Sequence, residues 1–225
     1  MELEQFAYVA SHDLQEPLRM VSSYVQLIAR RYRDKLDKDA EEFIDFAVDG
    51  ATRMKILIND LLEFSRISSR AKPFDTIDLD DCMKEILKNL EFKIEETNAL
   101  ISYDRLPKII GDRIQIQRVF SNLILNGIKF QNPNNIPKIH ISVTEENNHF
   151  KFGVHDNGIG IDPQFFNKLF IIFQRLHGKD EYGGTGIGLA ICKRIIDRHN
   201  GKIWVESKLN EGANFYFLIP KVNKT

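Results

Sequence analysis

Four groups of residues in this 225-residue chain combine types and spacings that could do chemistry. The first is His12 beside Asp13. A neighbouring carboxylate can accept a hydrogen bond from one imidazole nitrogen, fix the tautomer and leave the other nitrogen's lone pair free as a nucleophile. An unperturbed imidazole, pKa about 6.5, is substantially neutral near pH 7, so little activation is needed. Apolar residues at Leu3, Ala7, Ala10, Leu14, Leu18, Val21, Val25 and Ile28 recur in steps of three and four, the stripe of an amphipathic helix. His12 falls almost opposite that stripe, with Tyr8, Gln15, Glu16 and Arg19, and is expected to face solvent. An unreactive surface histidine would occupy the same place; the acidic neighbour argues for more. Pro17, inside the same helix, removes a ladder hydrogen bond and is expected to bend the helix near His12.

The second group is Asn122, Asn126 and Lys129, with the two amides one helical turn apart on one face. Amide oxygens are suitable hard ligands for Mg2+, which keeps several waters and takes its other ligands from phosphates. A merely polar helix face would read the same way in isolation. The third is Asp156-Asn-Gly158-Ile-Gly160 directly after an extended run. Its glycines let backbone approach a ligand, and a carboxylate at a strand end can accept from an adenine amino group, although a simple turn also fits five such residues. The fourth is Gly183-Gly184-Thr185-Gly186-Ile-Gly188, opening a helix whose free N–H groups and positive end attract phosphate. Between the last two groups, Gln174 to Tyr182 is polar and without periodicity, as a lid over bound nucleotide would be.

These groups need elements to hold them. After the first helix and a polar turn at Asp34 to Lys38, a second stripe runs through Phe43, Ala47, Ala51, Met54, Ile58, Leu61 and Phe64, with Asp39 and Glu42 spaced like a capping box. Two such helices form a hairpin that leaves much of each stripe wet, and a second copy completing a four-helix bundle covers it; homodimerisation is expected. Folding of the hairpin onto the rest of its own chain is the alternative. Ser68 to Pro73 reads as a linker, giving domains at 1–70 and 74–225. Beyond it lie helices at Leu79 to Glu96 and Asp112 to Lys129, strands at Lys138 to Thr144 and Phe150 to His155, a late helix near Gly186 to His199 and two final strands. The fold class is α+β, with a helical hairpin followed by an α/β sandwich whose helices cover one face of a mixed or antiparallel sheet.

Taken in order, the groups resemble the H, N, G1, F and G2 boxes of sensor histidine kinases across nearly the whole chain. The run from Phe6 through His12 to Leu18 resembles the H box in the variant of phytochrome-like kinases, and the run from Leu169 through Phe173 to His177 resembles the F box. The resemblance implies an ATP-binding domain of the gyrase and histidine-kinase type. It makes His12 the phosphoacceptor, Asp13 its acidic partner, Asn126 the Mg2+ ligand with Asn122 in support, and Asp156 the adenine reader with Gly158 and Gly160 beside it. Phosphate contacts would come from Lys129 and from the backbone of Gly184, Thr185, Gly186 and Gly188, with Arg175 as a lid or phosphate contact. It further implies transfer from His12 to an Asp of a response-regulator receiver domain. Two positions depart from the family pattern. Gly127 stands where Ala is common, a tolerated change that loosens the helix slightly. Glu16 stands four residues after His12, where bifunctional members often carry Thr or Asn, which counts against phosphatase activity.

Composition narrows the field. Lys and Arg total 31 against 32 Asp and Glu, so no global field points to nucleic acid or an anionic membrane. Two distant cysteines without metal-ligand spacing fit a reducing, cytoplasmic compartment. No apolar run approaches the roughly 20 residues needed to span a bilayer, and the sensory input domain is expected upstream of this chain. Two rivals remain at this level: an ATPase of the gyrase and mismatch-repair type, which needs no phosphoacceptor helix, and a dimeric ATP-gated scaffold that signals by shape.

Overall fold

The computed structural model describes residues 2–32, 35–69, 73–174, 176 and 183–221; for residues 2–12, 68 and 69 it describes the helical backbone without the side chains. The chain divides into two compact units, Met1–Ser69 and Arg70–Thr225.

The first unit is a hairpin of α1 (Glu2–Tyr32) and α2 (Lys38–Ser69). α1 continues through Pro17. Because proline has no N–H, the Asp13 carbonyl next to His12 cannot receive the ladder hydrogen bond from residue 17. The cap of α2 is Asp37, whose Oδ1 accepts from Ala40 N at 2.8 Å, and not the expected Asp39/Glu42 box. Asp37 precedes the first helical residue and faces the open amides, whereas Asp39 lies inside the first turn, where its charge favours the helix dipole. The apolar stripe of α1 splits in two. Leu18 is buried, as are Ala51 and Leu62 of α2, while Leu14, Val21, Phe43 and Met54 stay exposed, Phe43 by 69%. Gln15, expected on the solvent face, is half-buried and donates through Nε2 to Asn59 Oδ1 at 3.0 Å.

The second unit contains β1 (Asp75–Asp78), α3 (Leu79–Thr97), β2 (Leu100–Tyr103), β3 (Lys108–Gly111), α4 (Arg113–Lys129), β4 (Lys138–Glu146), β5 (His149–Asp156), a 3-10 turn at Pro163–Lys168, α5 (Gly188–Arg198), β6 (Lys202–Ser207) and β7 (Ala213–Pro220). The five-stranded sheet has the order β2-β4-β5-β7-β6, with β2 parallel to β4 and the other pairs antiparallel. β1 and β3 pair separately. The sheet is therefore mixed, and the four-residue strands β1, β2 and β3 went unread because runs so short carry too little alternation.

Alternation along the longer strands sets the layers. Ile139, Ile141, Phe152, Val154, Phe215 and Phe217 point inward beneath the helices. Phe120 of α4 meets Phe152 and Phe217 edge-on, with ring centroids 5.8 and 5.3 Å away, so an aromatic cluster centres the core. Asp78 caps α3 through Asp81 N, and Asp112 caps α4 by accepting from Ile114 N at 3.2 Å and Gln115 N at 3.3 Å. α5 starts at Gly188, two residues later than expected, because Gly186 has φ 73, outside the helical region. Cys82 and Cys192 are fully buried, and burial pushes the Cys82 thiol up to about 11. No helix among the described residues is long and apolar enough to cross a membrane.

Candidate nucleotide site

α4 carries the two amides and the lysine of the second sequence group. Asn122 donates through Nδ2 to the Gly188 carbonyl at 3.4 Å, joining mid-α4 to the first residue of α5. Asn126 is half-buried one turn further on, and its side-chain amide makes no hydrogen bond among the described residues. The Lys129 ammonium lies over the Phe130 ring, 4.3 Å from its centroid, and 2.9 Å from where a Cβ on Gly184 would sit. One face of α4 thus leads from Asn122 to Lys129 along the glycine run.

That run is built for backbone exposure. Gly184 has φ 126 and Gly186 φ 73, conformations open to glycine at little cost. Thr185 Oγ1 accepts from Ile187 N at 3.4 Å and braces the loop. The residue before α5, Ile187, offers no side-chain cap, so the first N–H groups of this 11-residue helix are left for a ligand. Phe173 donates its N–H to the Gly186 carbonyl at 3.2 Å, tying the F-box run to the glycine run, and itself adopts φ 65. Arg175 lies outside the described residues, as does the expected lid apart from Gln174 and Leu176.

Asp156 closes β5. Its Oδ1 accepts from Gly158 N at 2.9 Å and Ala213 N at 3.1 Å. Burial raises its pKa above the ordinary carboxylate value, and these two amides act against that shift. The turn that follows is drawn tight by backbone: Ile159 N donates to Phe130 O at 3.0 Å, and Asn210 N donates to Ile159 O at 2.7 Å. A Cβ on Gly158 would lie 2.1 Å from Phe130 O, and one on Gly160, at φ 70, 1.9 Å from Lys208 O. Asn157 fastens the turn sideways, accepting from Lys138 N at 2.8 Å and donating to Ile136 O at 3.0 Å.

Asn122, Lys129, Gly184 and Gly188 are therefore neighbours, and Asp156, Gly158 and Gly160 join the same α4 through Phe130. His12 and Asp13 belong to the hairpin unit. Asp13 is exposed, and so is Glu16, which pairs with Arg19 at 2.9 Å. Sequence reading missed the Phe130 carbonyl, the Ala213 amide and Gly212, whose φ is 78. The Asn210-Glu211-Gly212 turn was a detectable signal for the last; main-chain groups leave none.

Comparison with known proteins gives the family. Residues 2–70 match the family described as the His Kinase A (phospho-acceptor) domain. Residues 111–223 match the Histidine kinase-, DNA gyrase B-, and HSP90-like ATPase family. The chain belongs to the sensor histidine kinases, as a helical phosphoacceptor hairpin followed by an ATPase-type α/β domain. It is 52% identical over 219 residues to Cyanobacterial phytochrome A of Nostoc sp. strain PCC 7120, covering 97% of this chain and 28% of that protein. Histidine kinase ThkA, solved in complex with the response regulator protein TrrA, aligns with a TM-score of 0.66 at 25% identity, over 97% of this chain and 61% of ThkA. Full-length ShkA in complex with AMPPNP shares the fold with a TM-score of 0.73 at 22% identity, over 96% of this chain and 45% of ShkA. The match at residues 2–70 speaks against the gyrase-type rival, which has no such hairpin.

Proposed function

We propose that this chain transfers the γ-phosphoryl group of ATP to His12 and then to an aspartate of a response-regulator receiver domain. The observation that carries the nucleotide half is the meeting of Lys129 with the glycine-opened, uncapped start of α5, a cation and free N–H groups gathered at one polyanion-sized place. Asp156 reads the adenine amino group, with Oδ1 held by Gly158 and Ala213. Asn126 suits Mg2+ as a hard oxygen donor, with phosphates and water completing the shell. Held there, Mg2+ would supply neutralisation of phosphate charge.

In the transfer step, the lone pair of one His12 nitrogen attacks the γ-phosphorus while the bond to the β–γ bridging oxygen breaks and ADP leaves. Asp13 holds the opposite N–H and steadies the imidazolium that forms. Catalysis rests mainly on positioning, because bringing the reacting atoms within about 3 to 3.5 Å removes much of the barrier. The functional unit is a homodimer, a reading supported by the exposed Leu14, Val21, Phe43 and Met54 along the hairpin. The receiver partner is supported by the complex of ThkA with TrrA. Glu16, paired with Arg19, stands four residues after His12 in place of a Thr or Asn, which counts against phosphatase activity. It works in the cytoplasm, and an input domain elsewhere in a longer protein governs it.

The test is incubation with γ-labelled ATP and Mg2+. Label should enter the protein, survive alkali, be lost in acid, and disappear in His12→Gln while ATP still binds. Label that persists in His12→Gln overturns the proposal.

A further inference from the structure

We infer that Gln15 and Asn59 are positioning residues for the transfer step: the hydrogen bond between them holds the turn of α1 that carries His12 in one register against α2. This rests on the reading of His12 as the phosphoacceptor given above. Gln15 stands three positions after His12, on the same helical turn. It donates through Nε2 to Asn59 Oδ1 at 3.0 Å, a bond that joins the two helices across 44 positions of sequence.

The turn is weakened along α1 itself. Pro17 has no N–H to give the Asp13 carbonyl, so the helix ladder lacks a bond immediately beyond His12. Of the five residues from Asp13 to Pro17, four are exposed and only Gln15 is half-buried. Leu14 is 55% exposed, on the side proposed for the second copy, and Glu16 pairs with Arg19 of its own helix. Apolar burial first anchors the helix beyond this turn at Leu18, 9% exposed. An amide pair does there what leucines do not. Apolar side chains tolerate some sliding and rotation of one helix on another, whereas the Gln15 donor meets the Asn59 acceptor at one height and one rotation. With the ladder interrupted at Asp13, the rotation of the turn is set from α2. Transfer by positioning is sensitive to small displacements of the attacking atom, so a pin on the nucleophile's own turn acts on rate. The nucleotide residues belong to the other unit, and affinity for ATP should not register its loss.

The experiment measures initial rates of label entry from γ-labelled ATP with Mg2+, over a range of ATP, in the full 225-residue chain and in Gln15→Leu, Asn59→Leu and their combination. Each single variant should lower the saturating rate about fivefold, the worth of one such hydrogen bond, with KM for ATP within about twofold of wild type. The combination should be no slower than either single variant by more than about twofold, because one bond cannot be lost twice. Should the leucine variants lose their helix content, an isosteric set replaces them. Asn59→Asp and Gln15→Glu each leave one donor facing one acceptor, whereas together they set two carboxylates against each other, so only the combination should be slow. Single leucine variants at the wild-type rate, or losses that add in the combination, overturn the role of the pair and leave His12 as the phosphoacceptor. A wild-type chain that takes up no acid-labile label overturns that reading, and this inference with it.

Discussion

The amide N–H of Asp112 donates to Nε2 of His199 at 3.0 Å, so the cap of α4 and the C-terminal end of α5 share one bond across 87 positions of sequence. The ring's other nitrogen, Nδ1, lies 2.7 Å from the Ile195 carbonyl and donates to it. Phe74 stacks on the same ring at 4.4 Å and carries the Arg198 guanidinium on its face at 4.5 Å, while Arg198 also pairs with Asp112 at 3.3 Å. A neutral imidazole is required, because Nε2 must accept.

Acid should therefore loosen the nucleotide-binding domain. Burial, with the Arg198 charge adding to it, depresses the His199 pKa below its ordinary 6.5, while the Ile195 carbonyl and Asp112 oppose the shift. A depressed pKa gives stability that is complete above about 6.5 and is lost as pH falls from there through the folded value. Urea midpoints measured between pH 8 and 5 should fall along this limb. His199→Gln, whose amide oxygen accepts from Asp112 N but does not titrate, should flatten it; an unchanged slope would remove His199 as the cause.

Asp156→Asn should separate stability from binding. The Asp156 pKa is raised by burial, so its ionisation costs stability: the contribution is present below the ordinary 3.8 and lost as pH rises through the folded value. At pH 7 the asparagine variant should unfold no more readily than wild type, its Oδ1 still accepting from Gly158 and Ala213. Its affinity for ATP should drop about tenfold or more, since an amide in place of the carboxylate cannot give the base a charged acceptor. Calorimetric titration beside a thermal melt checks both halves.

Removing Asn122 should be felt at the phosphates. Asn122→Ala deletes the donor to Gly188 O and frees the start of α5. A loss of about 1 kcal/mol, near fivefold in ATP affinity, is the expected worth of one such bond. AMP, which reaches the glycine run least, should bind the variant and the wild type alike; an equal loss for AMP would sink the assignment.

Charge on the exposed side of the hairpin should divide the dimer. Phe43→Glu with Met54→Glu places carboxylates where apolar side chains await partners. Sedimentation should change from twice the 26.1 kDa chain mass to a single copy, with the helix content of the second unit retained. A wild-type chain that sediments as one copy refutes the dimer itself.

The sequence made the long elements legible because each carries several periods of its pattern: α1, α2 and α4 show the 3.6-residue stripe, and β4 and β5 alternate. It offered candidate side chains for the same reason, since Asn122, Lys129 and Asp156 announce their chemistry by type, and the structure brings Asn122 and Lys129 to the glycine run. Backbone roles stayed hidden. Phe130 takes part through its carbonyl and Ala213 through its amide, which any residue supplies. Gln15 was misplaced because a wheel records one apolar face, whereas α1 has a hairpin side and an exposed side at an angle to each other. Gly127 was read from helix propensity alone, which does not register that a Cβ there would lie 2.9 Å from Ile139 Cγ1 and 3.1 Å from Asp156 Cβ across the layer.

The two sealed cysteines turn the domain into its own stopwatch. A thiol at 0% exposure, with the Cys82 sulfur held protonated by its surroundings, presents almost no thiolate to an alkylating reagent. Label can then enter only through transient breathing of the helical layer against the sheet, so alkylation speed becomes a gauge of how often α3 and α5 part from it, and a bound nucleotide gripping α5 should slow the clock at Cys192.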